Sequence, residues 1–244
     1  MKKISLLFSL GIIATIVICS CNKQSANSTT KQSPPAFQTN GQLNSQFKLT
    51  RHQNKVAWTD LAAGLASAEL GPVSFLIAGC ASMAAHYDSP VTVNPNPDPD
   101  PANETDQLGY DHNRFCRAYL AAHTSLNYTD IISTAKQIRP DLSTQIDAIS
   151  EETINNTIEY VSQFDFLNSS SQVTILNSVM TLSSDDINSF KNAIDAINDG
   201  NEEDVNNNVT ALQNEIANYN TSDLNKERLI NAFSILKYSN FIWQ

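Results

Sequence analysis

The sequence predicts an all-α protein: a helical bundle in which a helical pair rich in small residues, about 59–86, packs against the C-terminal helices. Three observations carry that prediction. From Leu108 onward apolar residues recur at helical spacing, with no strand alternation of useful length and no repeat of constant period. Polar capping residues open the successive apolar runs, most clearly at Ser183, where Asp185 and Asp186 follow in the first turn and Gly200 lies past the end. From Leu61 to Ala85 the chain is dominated by Ala, Gly, Ser and Leu, with Glu69 as its only charged side chain.

That small-residue segment comes first. Trp58-Thr59-Asp60 offers a capping start, and Gly71-Pro72 divides the segment into helices of about 59–70 and 72–86, with Pro72 in the first turn of the second. A membrane-inserting hairpin is one reading, since the Gly64 to Ala68 spacing suits close helix packing in lipid. A buried pair in a soluble core is the favoured one, because each half falls short of the roughly 20 apolar residues that span a bilayer and Glu69 interrupts them.

Asp88 to about Asp106 reads as a linker. Pro90, Pro95, Pro97, Pro99 and Pro101 alternate with Asn and Asp and remove backbone donors. Asn94, Asn96, Asp98, Asp100 and Asp106 are calcium-ligand types, but the prolines and the missing glycine turn do not match an EF-hand loop.

Helices are then expected at about 108–126, 128–138 and 142–149, the middle one stopped before Pro140. Ser150 caps the next, to about Phe164, and Ser169 to Ser171 opens another carrying Val173, Leu176, Val179 and Met180. Ser183 and Glu202-Glu203-Asp204 start two more. Thr221 or Ser222 caps a last helix of about 223–242, where Leu229, Ile230, Phe233, Leu236, Phe241, Ile242 and Trp243 cover so much of the circumference that it belongs at the centre. Twenty-seven asparagines and only 7 glycines mean that buried faces, more than intrinsic propensity, must hold these helices.

The first 21 residues carry a different signal. Lys2 and Lys3 precede an apolar run from Ile4 to Ile18, and small Ser20 sits before Cys21, which is the layout of a secretory signal. The end of this run resembles the lipobox of bacterial lipoprotein signal peptides, Ile18 and Ser20 framing the cleavage site; Cys19 stands where Ala or Ser is more usual. The resemblance implies that residues 1–20 are removed and that Cys21 is acylated; residues 21–55, polar and without a sustained apolar period, read as a flexible tether to a helical domain at 56–244. With Asn22 rather than Asp after the anchor, the resemblance to enteric lipoprotein sorting implies the outer membrane, facing the periplasm, with surface display the other destination. An ordinary cleaved signal or a short buried helix is the competing reading.

The formal charge of -10 is unevenly spread. Lys23, Lys31, Lys48, Arg51 and Lys55 make the tether basic, while sixteen acidic residues stand against four basic ones from Asp141 to Gln244. This polarity suits a tether beside a lipid surface and argues against nucleic acid as a partner.

For chemistry, His112, Cys116 and His123 lie on one helix, with Cys80 and His86 as candidates to join them. His and Cys one turn apart can both face a zinc ion, yet no CxxC pairing or HExxH spacing occurs, and a core-facing stripe explains the pattern more simply. Cys80 and Cys116 are candidates for a disulfide, the alternative being two separate buried thiols. No GxSxG elbow is present, and Glu151-Glu152 and Asp185-Asp186 sit where helix starts favour negative charge. No catalytic residue and no cofactor is assigned. Gly109-Tyr110-Asp111-His112-Asn113 and Leu236 to Trp243 resemble exported bacterial proteins without an assigned role, which implies that the two ends share one domain and brings no activity.

The sequence therefore points first to a lipid-anchored, non-enzymatic envelope protein that binds another protein or scaffolds a complex. A membrane-active protein using the 61–85 hairpin, pore-forming or toxin-like, is the second reading. An envelope hydrolase or metal-binding enzyme is the third.

Overall fold

A computed structural model of the chain describes residues 51–164, 174, 177, 182–199 and 202–243. The expected signal peptide, Cys21 and most of the expected tether lie outside them, as does nearly all of the helix expected from Ser169 to Met180. Among the described residues the chain forms nine α-helices: α1 Arg51–Ala66, α2 Ser74–Asp88, α3 Glu104–Ala122, α4 Tyr128–Ile138, α5 Ser143–Asp147, α6 Glu151–Ser162, α7 Ser184–Asp199, α8 Glu202–Ile216 and α9 Asp223–Ile242. Short 3-10 turns at Ala68–Val73 and Pro140–Leu142 complete the order. One isolated antiparallel bridge, Val93 to Trp243, is the only β pairing among these residues.

The all-helical bundle has α9 at its centre, against α3, α1 and α8; of the small-residue pair, α1 packs on α9 and α2 packs on α1 and α3. Every residue from Val56 to Leu65 and from Val73 to Met83 is buried. The stretch Ala68–Asp88 is long and apolar enough to cross a membrane by length and composition, yet its middle is core. Small residues make the close approach workable. A β-carbon at Gly109 on α3 would lie 2.2 Å from the Ser234 carbonyl oxygen of α9. The Gly109 amide also donates to Ser234 Oγ at 3.1 Å. Backbone cannot swing aside as a side chain can, so Gly109→Ala is expected to lose about 1–3 kcal/mol in chemical denaturation despite alanine's better helix propensity.

Helix starts follow the polar caps. Ser150, Ser183 and Ser222 accept the backbone N–H of Thr153, Asp186 and Asn225 at 3.1, 3.2 and 3.2 Å. Asn103 and Asn127 do the same for α3 and α4, at 2.9 and 3.2 Å. Part of the asparagine content thus serves as helix caps, each worth on the order of 1 kcal/mol.

Four boundaries differ from expectation. α1 begins at Arg51, upstream of Trp58-Thr59-Asp60, because Asp60 is a buried mid-helix residue and not a cap. Pro72 belongs to the 3-10 turn before α2, where Gly71 takes φ 61°, a conformation favouring glycine. α3 starts at Glu104 because Asn103 caps it, ahead of the expected Leu108. It ends at Ala122, short of Leu126, where the chain turns extended; Tyr119 Oη fixes this exit, donating to Ser125 O at 2.9 Å and accepting from Asn127 N–H at 2.8 Å.

The proline-rich segment between α2 and α3 is non-helical, and it is also docked. Asn94 donates its backbone N–H to Ile242 O at 2.7 Å and its amide to Phe241 O at 2.9 Å. Arg117 on α3 pairs with Asp98 and donates to Asn94 O at 3.1 Å. Residues 93–98 thereby strap the C-terminal end to α3.

Candidate functional site

The densest group of chemistry-bearing side chains lies where α1, α3 and α9 meet. α1 brings Asp60, α3 brings His112, Asn113 and Cys116, and the end of α9 brings Ser239 and Trp243; all six are buried.

The protonation state follows from the neighbours. Asn113 Nδ2 faces two acceptors, Tyr238 O at 2.7 Å and Asp98 Oδ1 at 2.9 Å, so its amide orientation is fixed and its Oδ1 must accept from His112 Nδ1 at 2.9 Å. Nδ1 therefore carries a proton. His112 Nε2 stands 3.4 Å from Asp60 Oδ2, and because the pKa of His112 is held well above its ordinary value the pair is imidazolium and carboxylate. Burial alone would drive His112 toward neutrality, but Cys116 as a hydrogen-bonding neighbour and Asp60 by charge and hydrogen bond outweigh it and hold its pKa well above the ordinary value. Asp60 Oδ2 also accepts from Ser239 Oγ and from the Trp243 indole N–H at 3.2 Å, while its Oδ1 has no hydrogen-bond partner.

Cys116 Sγ lies 3.7 Å from His112 Nε2 and 3.9 Å from Gly79 O. With Nε2 protonated, the imidazole has no lone pair for the thiol, which is left to donate to the carbonyl. Burial raises the pKa of Cys116 against the opposing pull of His112, and burial followed by the neighbouring Cys116 raises that of Cys80. Both residues are buried free thiols, poor nucleophiles in this setting.

Of the residues singled out in the sequence, His112 and Cys116 do come together. His123 does not join them: 11 residues along α3 place it about 16 Å away, where it pairs with Asp130 at 3.4 Å and lies against the Tyr119 ring. His86 stacks on Trp243 with ring centroids 5.4 Å apart and accepts from Val91 N–H at 3.3 Å. Among the described residues, no group of three or more His, Cys, Asp or Glu side chains is arranged to hold a metal ion. The carboxylates of the proline-rich segment are committed elsewhere, Asp98 to Arg117 and Asn113, and Asp106 to Lys237 at 3.2 Å.

Sequence reasoning missed Asp60, Asn113 and Arg117. The available signal for Asp60 was a lone carboxylate leading into a long run of small apolar residues, a position where a buried charge needs a partner.

A cleft of about 640 Å³ opens elsewhere, lined by Gly71 and Pro72, Pro101, Glu104, Arg139 and Glu227 among others. Arg139 is already engaged there by Asp111 at 2.6 Å and Asp141 at 2.7 Å. None of Asp60, His112 or Cys116 lines this cleft.

The pH dependence has a definite sign. His112 and both thiols have folded pKa values above their unfolded ones. The contribution of His112 is full below about pH 6.5 and is lost as pH rises through its raised folded value. The thiols add to the loss above about pH 8.5. Thermal midpoints are therefore expected to fall on the alkaline side, and His112→Gln to flatten the limb that begins near neutrality.

No protein-family model, no curated protein and no solved structure matches the chain.

Proposed function

We propose that this chain is a lipid-anchored envelope protein, non-enzymatic, held in the outer membrane through acylated Cys21, whose acidic helical surface binds another protein or scaffolds a complex. The observation that carries the non-enzymatic part is enclosure. The thiol, imidazole and carboxylate that come together, Cys116, His112 and Asp60, are each 0% exposed and engaged with one another, so they serve as a structural clasp. Outside it, Glu151, Glu152, Glu159, Asp185, Asp223 and Glu227 are exposed and offer a partner negatively charged side chains. The anchoring part rests on the Ile18 to Cys21 pattern.

Two measurements test the two parts. Metabolic labelling with palmitate is expected to mark the protein and to fail for Cys21→Ala; an unlabelled wild type overturns the anchor. Co-purification after mild crosslinking in membranes is expected to return a reproducible partner, and a strictly monomeric species counts against binding.

The apolar length of Ala68–Asp88 favours a second reading, insertion of the small-residue hairpin into a bilayer. Its burial against α1, α3 and α6 weighs against this. A non-lipidated form that releases dye from liposomes would favour insertion over binding.

A further inference from the structure

We propose that the junction of α7 and α8 is a site for a hard, oxygen-seeking cation of the calcium class, held by the Glu215 carboxylate with Ser189, Tyr219 and Asp186 around it. Asp186 and Ser189 are one turn apart on α7, while Glu215 is in the last turn of α8 and Tyr219 lies four residues further on, so each side of the junction brings a pair of oxygen donors. Ser189 Oγ donates to Glu215 Oε1, and Asn220 N–H donates to Asp186 Oδ2 at 3.0 Å, tying the two elements together. Glu215 and Tyr219 are only 6% and 4% exposed. Even so, Glu215 Oε2 and Tyr219 Oη have no hydrogen bond of normal geometry, although Ser189 lies beside both.

A buried carboxylate without a counter-charge is costly, and the local sequence supplies none. Between Arg139 and Lys226 the only cationic residue is Lys191, and it is exposed. Lys226 donates to Ala217 O at 3.0 Å and does not reach Glu215. Burial, then Glu215 and Asp186, push the Tyr219 pKa well up, so its phenol remains a neutral oxygen donor. Asp186 Oδ2 is used by Ser183 and Asn220, which leaves Oδ1 for the ion. Two carboxylates with two hydroxyls and no nitrogen or sulfur match calcium rather than zinc, with the small charge count of a weak site, Kd about 10⁻⁴–10⁻³ M.

The test uses the purified chain stripped with a chelator, with terbium as the calcium stand-in and its emission excited through tyrosine. Wild type is expected to give sensitised emission that calcium displaces, and a thermal midpoint that rises with calcium. Glu215→Gln is expected to weaken both responses roughly tenfold or more. Ser189→Ala, which retains the carboxylate and the fold, is expected to weaken them in the same direction. Tyr219→Phe keeps the calcium shift and loses most of the emission. A wild type with no emission and an unchanged midpoint overturns the site, as does a response that both Glu215→Gln and Ser189→Ala retain in full.

Discussion

Replacing Asp60 by alanine is expected to destabilise the protein by about 3–5 kcal/mol, the cost of removing one partner of a buried ion pair. The loss exceeds that of the ion pair itself. The imidazolium of His112 would be left buried without its carboxylate, and the Ser239 hydroxyl and Trp243 indole N–H would lose their shared acceptor. Asp60→Asn retains an oxygen for these two donors but no charge, so it should cost less while lowering the His112 pKa, since the Asp60 carboxylate helps to hold that pKa up. Urea unfolding measures the first effect and NMR titration of the imidazole the second. A loss below about 1 kcal/mol for Asp60→Ala would mean the pair is not the clasp described.

Trp243→Ala should cost a similar amount, about 3–5 kcal/mol, because it removes the largest wholly buried side chain at the C-terminal end. The indole stacks on His86 of α2, donates to Asp60 of α1, and sits at the residue bridged to Val93 of the proline-rich strap. One side chain thus ties the C-terminal end to α1, to α2 and to the proline-rich strap, 150 to 183 positions earlier in the sequence. Since Asp60 and Trp243 are in contact, the double variant is expected to lose less than the two singles added, by about 0.5–3 kcal/mol. Hydrogen exchange should also show residues 91–98 opening more readily in Trp243→Ala than in wild type.

The bundle was legible in the sequence wherever a boundary is set by local chemistry. Ser150, Ser183 and Ser222 cap helices as their hydroxyls predict, and Tyr128–Ile138 is bounded by the cap at Asn127 and by Pro140. The small-residue pair against the last helix was legible for a similar reason: a helix apolar on nearly all sides must be central, and only small neighbours allow it. What could not be read locally is what long-range contacts decide. Asp60 has the composition of a cap and became a core residue because His112, 52 positions later, and Trp243, 183 positions later, reach it. The proline-rich segment reads as a spacer, and its docking depends on Arg117 and on the carbonyls of Phe241 and Ile242. His123 shares a helix with His112 and Cys116, but helical rise separates it, and Asp130 captures it at the start of α4.

Counting thiols tests at once the helical body with its reactive groups sealed inside and the proposed acylation of Cys21. Protein extracted from membranes of cells expressing the chain with its leader is treated with a bulky maleimide, then mapped by mass spectrometry. The account predicts no labelled cysteine in the native state and two, Cys80 and Cys116, after denaturant and reductant are added. Rapid native labelling of Cys116 would contradict the sealed core, and labelling of Cys21 would contradict the lipid anchor.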